Sequence, residues 1–120
     1  MLIGDDALGG FFALDGGGIA EGSAHIFHLA PDTLVWEEVA TSCSEWLRSL
    51  MNGDLATWYE GSRWSGWQQD ARGLPGDRAF SIAPPLWAQG PTIDERSRRA
   101  VPLGELWELH VRVWPKQLGR

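Results

Sequence analysis

A chain of 120 residues can hold one domain with its own core and is too short for two of ordinary size. Apolar residues make up 43% of it, including eight Trp, four Phe and one Tyr, so a core needs neither disulfides nor a structural metal; each large ring can bury roughly 150–250 Å². Ten Lys plus Arg against 16 Asp plus Glu give a formal charge of -6, which argues against nucleic acid as a partner, and Cys43 as the single cysteine excludes an internal disulfide and a cysteine-rich metal centre.

The opening Met1-Leu2-Ile3-Gly4-Asp5-Asp6 has neither the basic start nor the apolar run of a signal peptide, and no stretch reaches the ~20 apolar residues of a membrane-spanning helix. A soluble cytoplasmic protein with no membrane partner is the expectation. Gly9 through Asp15 reads as a short strand entered from a flexible turn, and Gly16-Gly17-Gly18 permits a reversal. His25 through Ala30 is a second strand, Pro31-Asp32-Thr33 its turn, and Leu34 through Val39 a third. Short connections between the three predict an antiparallel meander.

Ser42-Cys43-Ser44-Glu45 has the spacing of a capping box, and Trp46, Leu47, Leu50 and Met51 follow as an apolar helical stripe expected to cover the sheet. Cys43 is expected as a small buried helix residue. Asn52-Gly53 is a left-handed stop. Asp54 is expected to open another short helical segment with Leu55, Trp58 and Tyr59 inward. Trp64, Trp67, Ala71 and Leu74 then recur at helical spacing before Pro75-Gly76 interrupts them. Arg78 through Ile82 reads as a strand that Pro84-Pro85 cuts short, and the charged run from Gly90 to Arg99 reads as a loop. In the last segment, Leu103, Leu106, Trp107, His110, Val113 and Trp114 make a helical face, while Trp107, Leu109, Val111 and Val113 alternate as a strand would. Pro102 suits a first helical turn, Pro115 ends or kinks a helix near Trp114, and Glu105 and Glu108 favour a helix through its dipole.

The order of these pieces resembles the bacterial DUF2625 family. The resemblance rests on Ile3 through Gly17, Ala30-Pro31-Asp32-Thr33-Leu34-Val35-Trp36, Ser42 through Leu50, Gly53-Asp54-Leu55 and Trp58-Tyr59-Glu60-Gly61. Later echoes are Arg63-Trp64, Gly66-Trp67, Leu74-Pro75-Gly76-Asp77 and Arg98 through Trp107. More loosely, the chain resembles the Smi1/Knr4-related superfamily (SUKH), whose bacterial members look like toxin-immunity proteins and use acidic surfaces to bind partner proteins. The narrow resemblance implies a helix through Leu103 and Leu106, and a parent protein that extends further upstream, so that this chain is its carboxy-terminal portion or starts late. It transfers no catalytic residue.

Other constellations carry little chemistry. His25 and His28 could join an acid such as Asp5, Asp6 or Asp15 around zinc, but three apart on a strand they point to opposite faces. Gly16-Gly17-Gly18 lacks the Lys-Ser or Lys-Thr of a phosphate loop. Ser42, Cys43 or Ser44 would need His110 as a base within about 3 Å, and Ser42 already has a capping role. The acidic pairs Glu37-Glu38 and Asp5-Asp6 define no cleft, and Arg96, Arg98 and Arg99 read as a solvated connector. Trp64 and Trp67 pack a core or form a protein-binding edge. The reading is therefore one α+β domain, a small antiparallel sheet packed against helices and Smi1/Knr4-like. It is expected to bind a protein partner, such as a toxin domain, rather than to turn over a substrate. No catalytic, cofactor-binding or metal-binding residue is assigned. The rivals are a structural or regulatory self-associating module and an unrecognised hydrolase.

Overall fold

In the computed structural model, residues 1–16, 19, 24–52 and 58–119 are described. Gly17 and Gly18 of the expected reversal, Gly53 of the helix stop, and Asp54 and Leu55 of the short helical segment lie outside them. The chain is α+β. Strands β1 (Leu2–Asp5), β2 (Phe11–Leu14), β3 (Ile26–Leu29) and β4 (Trp36–Ala40) form one antiparallel sheet in chain order, so the expected meander is present with one more strand at its edge. Four residues including a glycine are too short a run for β1 to show a periodicity of its own.

Pairing in the sheet sets Phe12 opposite His28 and His28 opposite Glu37, while Phe11 faces Leu29 and Leu29 faces Trp36. Because successive side chains alternate, Phe11, Leu29 and Trp36 share one face and Phe12, His28 and Glu37 the other. The third strand begins at Trp36 rather than Leu34. Leu34 instead closes the preceding turn, at φ 56° and with its N–H on the Ala30 carbonyl at 2.8 Å.

On the Phe12 face lies α1 (Cys43–Met51). Ser42 Oγ accepts the Glu45 N–H at 3.1 Å, as the capping box requires, but Glu45 reaches back to the N–H of Thr41 (3.0 Å) and to its hydroxyl rather than to Ser42. Only part of the apolar stripe meets the sheet. Trp46 packs on Phe12 with ring centres 5.2 Å apart, whereas Leu47 and Met51 are exposed and no residue of α1 is buried. Cys43 is exposed as well, at the first position of the helix. The helix ends at the expected stop, with Asn52 at φ -84° and ψ 3° and its N–H on the Arg48 carbonyl.

Against the Phe11 face packs a second sheet, the hairpin of β5 (Arg78–Ala83) and β6 (Ser97–Pro102). The expected loop from Gly90 to Arg99 is thus corrected: it holds a 3-10 turn (Ile93–Glu95) and the first half of β6. Its arginines are structural. Arg96 donates to the carbonyls of Pro84, Pro85, Ala88 and Pro91 at 2.5–3.1 Å, and Arg98 lies 4.8 Å over the Trp64 ring. Their apolar stems pack while their heads find carbonyls, so charge disguised a strand. Arg99 alone stays solvated, 3.8 Å from Glu105.

The C-terminal ambiguity resolves as helix. α3 (Leu103–Glu108) runs into a π-helical turn (Leu109–Val113) and then α4 (Trp114–Gln117). Leu106 and His110 are buried, but Val113, expected on the same face, is 42% exposed because the wider turn rotates it away. Pro115 sits in the first turn of α4. It has no N–H for a helical bond to the carbonyl of Val111, and the π turn directly before it is where that mismatch is absorbed. Phe11, Leu29, Ala79, Val101 and Leu106 make the main core, and Leu8, Trp64 and Ile82 a second.

The spacing of Trp64, Trp67, Ala71 and Leu74 is helical only in part. A 3-10 turn (Glu60–Ser62) precedes Trp64, α2 spans Trp67–Arg72 with Gly66 as its cap, and Leu74 lies beyond it. Among the described residues no helix is long and apolar enough to cross a membrane.

Candidate functional site

Asp6 follows β1, and its carboxylate organises the Phe12 side of the molecule. Oδ1 accepts the N–H groups of Leu8 (3.0 Å) and Gly10 (2.8 Å). Oδ2 accepts the Tyr59 hydroxyl at 2.8 Å and lies 3.2 Å from His28 Nε2. Burial opposes the charge, but the hydrogen bonds from His28, Tyr59 and Gly10 outweigh it and hold the Asp6 carboxyl below the usual carboxylate range. Burial, reinforced by the Asp6 charge, pushes the Tyr59 hydroxyl well up, so it remains a neutral donor.

The two glycines before β2 make this arrangement possible. Gly9 has φ +79°, and a Cβ there would meet Leu106 Cδ1 at 2.9 Å. A Cβ on Gly10 would fall 2.5 Å from Asp6 Oδ2 and closer still to His28 Nε2. The expected flexible turn is in fact a fixed one, tied by Asp6 N–H to the Gly10 carbonyl (2.9 Å) and Gly9 N–H to the Asp6 carbonyl (3.1 Å).

Two clefts open on either side of the Asp6–Tyr59 pair, with Leu8 and Ser62 also common to both. The first, of about 150 Å³, is walled chiefly by Trp64, Trp67, Ala71 and Leu8, with Arg63 at its edge. Trp64 is 5% exposed, donates its indole N–H to Asp70 Oδ2 at 2.8 Å and meets Phe80 edge to face at 5.3 Å. The Arg63 guanidinium lies 4.2 Å over the Trp67 ring, and among the described residues it has no carboxylate partner.

The second cleft, of about 140 Å³, brings together Trp58, Asp32, Glu37 and His28 beside Tyr59. Trp58, expected inward, is 44% exposed, yet its ring lies 4.8 Å from His28, 4.8 Å from Tyr59 and 5.8 Å from Phe12. It is an aromatic surface packed on one side and open to solvent on the other. Asp32 stands in the turn closed by Leu34, and Glu37 projects from β4 beside His28. Neither forms an ion pair among the described residues. A cation with an apolar stem fits such a lining, since carboxylates and an aromatic face both attract it.

The remaining candidates are dispersed. His25 contacts Glu38 and His28 contacts Asp6, so the two histidines serve different partners. His110 packs on Phe11 and Trp114, on the opposite side of the sheet from Ser42, Cys43 and Ser44 at the head of α1. Neither His28 nor His110 bonds a hydroxyl or thiol among the described residues. Among those residues no three His, Cys, Asp or Glu converge as metal ligands. The sequence singles out Trp64 and Trp67 and places Asp6 beside His28 only as a possible zinc ligand, without Tyr59; the available signal is Asp6 two residues before the Leu8 N–H it accepts, the spacing of an Asx turn.

Residues 1–106 match the family described as "Protein of unknown function DUF2625". "Putative uncharacterized protein YbfG" of Escherichia coli (strain K12) is 40% identical over 109 residues, covering 91% of this chain and 50% of that protein. An "Uncharacterized protein" of Haemophilus influenzae (strain ATCC 51907 / DSM 11121 / KW20 / Rd) is 33% identical over 102 residues, covering 84% of this chain and 45% of its own length. The chain thus spans about half the length of the curated relatives it matches. No solved structure gives a significant match.

Proposed function

This chain belongs to the DUF2625 family, and we propose that it acts by stoichiometric, non-catalytic binding of a protein partner through a basic segment of that partner. One observation carries the reading: Asp32 and Glu37, without counter-ions among the described residues, line a cleft whose aromatic wall is the half-exposed Trp58, packed on His28 and Tyr59. The net charge of -6 steers a basic partner towards it. In its finer form, drawn from the looser Smi1/Knr4 resemblance, the partner is a cytoplasmic toxin domain and binding occludes its basic or catalytic surface, an immunity-like role.

The test is binding of an arginine-containing peptide, and of proteins captured from the native lysate, to the wild type and to an Asp32→Asn, Glu37→Gln double variant. Binding that weakens with salt and falls at least tenfold in the variant supports the reading; binding indifferent to both carboxylates removes it. A reproducible one-to-one partner carrying a toxin or nuclease domain would extend the support to immunity.

A second reading, a self-associating structural or regulatory module, is favoured by Leu47 at 47% and Met51 at 86% exposure on α1. Sedimentation of the full-length relative and of a Leu47→Lys, Met51→Lys variant separates it: a dimer lost in the variant supports self-association. Among the described residues the hydrolase reading has no arrangement in its favour beyond Ser62 lining the second cleft with His28 and Asp6.

A further inference from the structure

The two clefts differ in what they accept, and they adjoin, with Asp6, Leu8, Tyr59 and Ser62 lining both. The first offers Trp64, Trp67, Leu8 and Ala71; the second offers Asp32 and Glu37. We infer that together they form a two-point peptide site, which takes a bulky apolar side chain in the first cleft and an arginine or lysine in the second. This rests on the binding function proposed above and specifies its partner.

Three observations lead there. A volume of about 150 Å³ is the size of an apolar cavity that accepts benzene, so a phenylalanine or leucine side chain fills it. The second cleft, at about 140 Å³, takes the end of one long basic side chain, its stem on Trp58 and its charge beside the two carboxylates. The wall they share includes Tyr59, whose hydroxyl is tied to Asp6 at 2.8 Å. Asp6 in turn is fixed by two backbone N–H groups and by His28. A wall held this way is already ordered before the ligand arrives, which limits the cost of binding.

The charges also set the orientation. Arg63 over Trp67 repels a cation from the apolar cleft, and Asp32 with Glu37 repels an acid from the other, so exchanging the two side chains is disfavoured. An extended peptide places residues i and i+2 on one side, roughly 7 Å apart, a span suited to two clefts that share a wall. The occupant is therefore an extended segment with an apolar residue and a basic residue two positions apart.

The experiment is isothermal titration of the wild-type chain with four capped hexapeptides. One carries Phe and Arg two positions apart; the others replace Phe by Ala, Arg by citrulline, or both. The Phe–Arg peptide should bind at least tenfold more tightly than either singly changed peptide. The Asp32→Asn, Glu37→Gln variant should abolish the preference for Arg over citrulline while keeping that for Phe over Ala. Ala71→Leu, which fills the first cleft from a helical position that favours leucine, should do the reverse. Because the comparison is first made among peptides on the wild type, it holds even if Ala71→Leu folds poorly. An arginine preference without any phenylalanine preference would overturn the two-point site and leave the basic-partner reading standing. Equal binding of all four peptides, or no binding by any, would overturn both.

Discussion

The two faces of the four-stranded sheet are built on opposite principles, although they alternate along the same strands. The Phe11 face is closed by Leu29, Ala79, Val101 and Leu106, each 2% exposed or less, and its stability comes from removing apolar surface from water. The Phe12 face buries a carboxylate, an imidazole and a phenol hydroxyl that satisfy one another, and leaves clefts beside them. Groups that must be hydrogen-bonded to be buried cannot pack as tightly as aliphatic ones. Residual space beside a rigid polar wall is the result, and a site can use it.

The largest expected effect is on the apolar face. Leu106→Ala should cost about 2–5 kcal/mol in urea denaturation, and the variant that still folds should retain peptide binding, since Leu106 touches neither of the two clefts beside Tyr59. Acid separates the faces next. Burial pushes the His110 imidazole down to about 4 from its ordinary 6.5, although a hydrogen bond to the Gly9 backbone and the Asp6 charge pull the other way. The unfolded chain therefore takes up this proton first: stability is complete above about pH 6.5 and falls as pH drops towards 4, by on the order of 3 kcal/mol. Thermal melts of His110→Phe should lose that decline. Asp6 acts in a lower window, since a depressed carboxyl gives stability that is present above the ordinary 3.8 and vanishes below it.

Gly10→Ala attacks the polar face directly and should cost about 1–3 kcal/mol, the usual range for overpacking. A simultaneous loss of the arginine preference, read by titration, would tie the wall to the site; unchanged binding would show that the wall tolerates displacement. The smallest effect belongs to the surface. Arg99→Ala breaks only the 3.8 Å contact with Glu105 and should change stability by less than about 0.5 kcal/mol. A larger loss in a denaturant titration would mean that Arg99, like Arg96 and Arg98, holds the hairpin.

Elements whose signals are local were legible in the sequence: the β2–β4 meander from its turns, and α1 from Ser42 and Glu45. Elements stabilised from a distance were not. The first half of strand β6 reads as a charged loop because the Trp64 ring under Arg98 and the carbonyls around Arg96 are supplied by other segments. The wall of the site was hidden for the same reason, since Asp6 meets residues 22 and 53 positions away. The α1 stripe misled in the other direction. Helical spacing gives Leu47 and Met51 an apolar face, but both are exposed, while Trp46 packs on Phe12 and Leu50 is half-buried.

Gly9 and Gly10 are adjacent, but their requirements are not interchangeable, and suppressor genetics should tell them apart. At position 10 the obstruction lies in two side chains, His28 and Asp6, so an alanine there can be rescued when both are trimmed, for instance by His28→Ser with Asp6→Ser. At position 9 the backbone itself is left-handed, and no second-site change to Leu106 or His110 removes the strain that any L side chain brings. A library of compensating substitutions should therefore recover position 10 repeatedly and position 9 scarcely at all, with the polar side of the sheet evolving through paired exchanges that the glycine in front of it forbids to the apolar side.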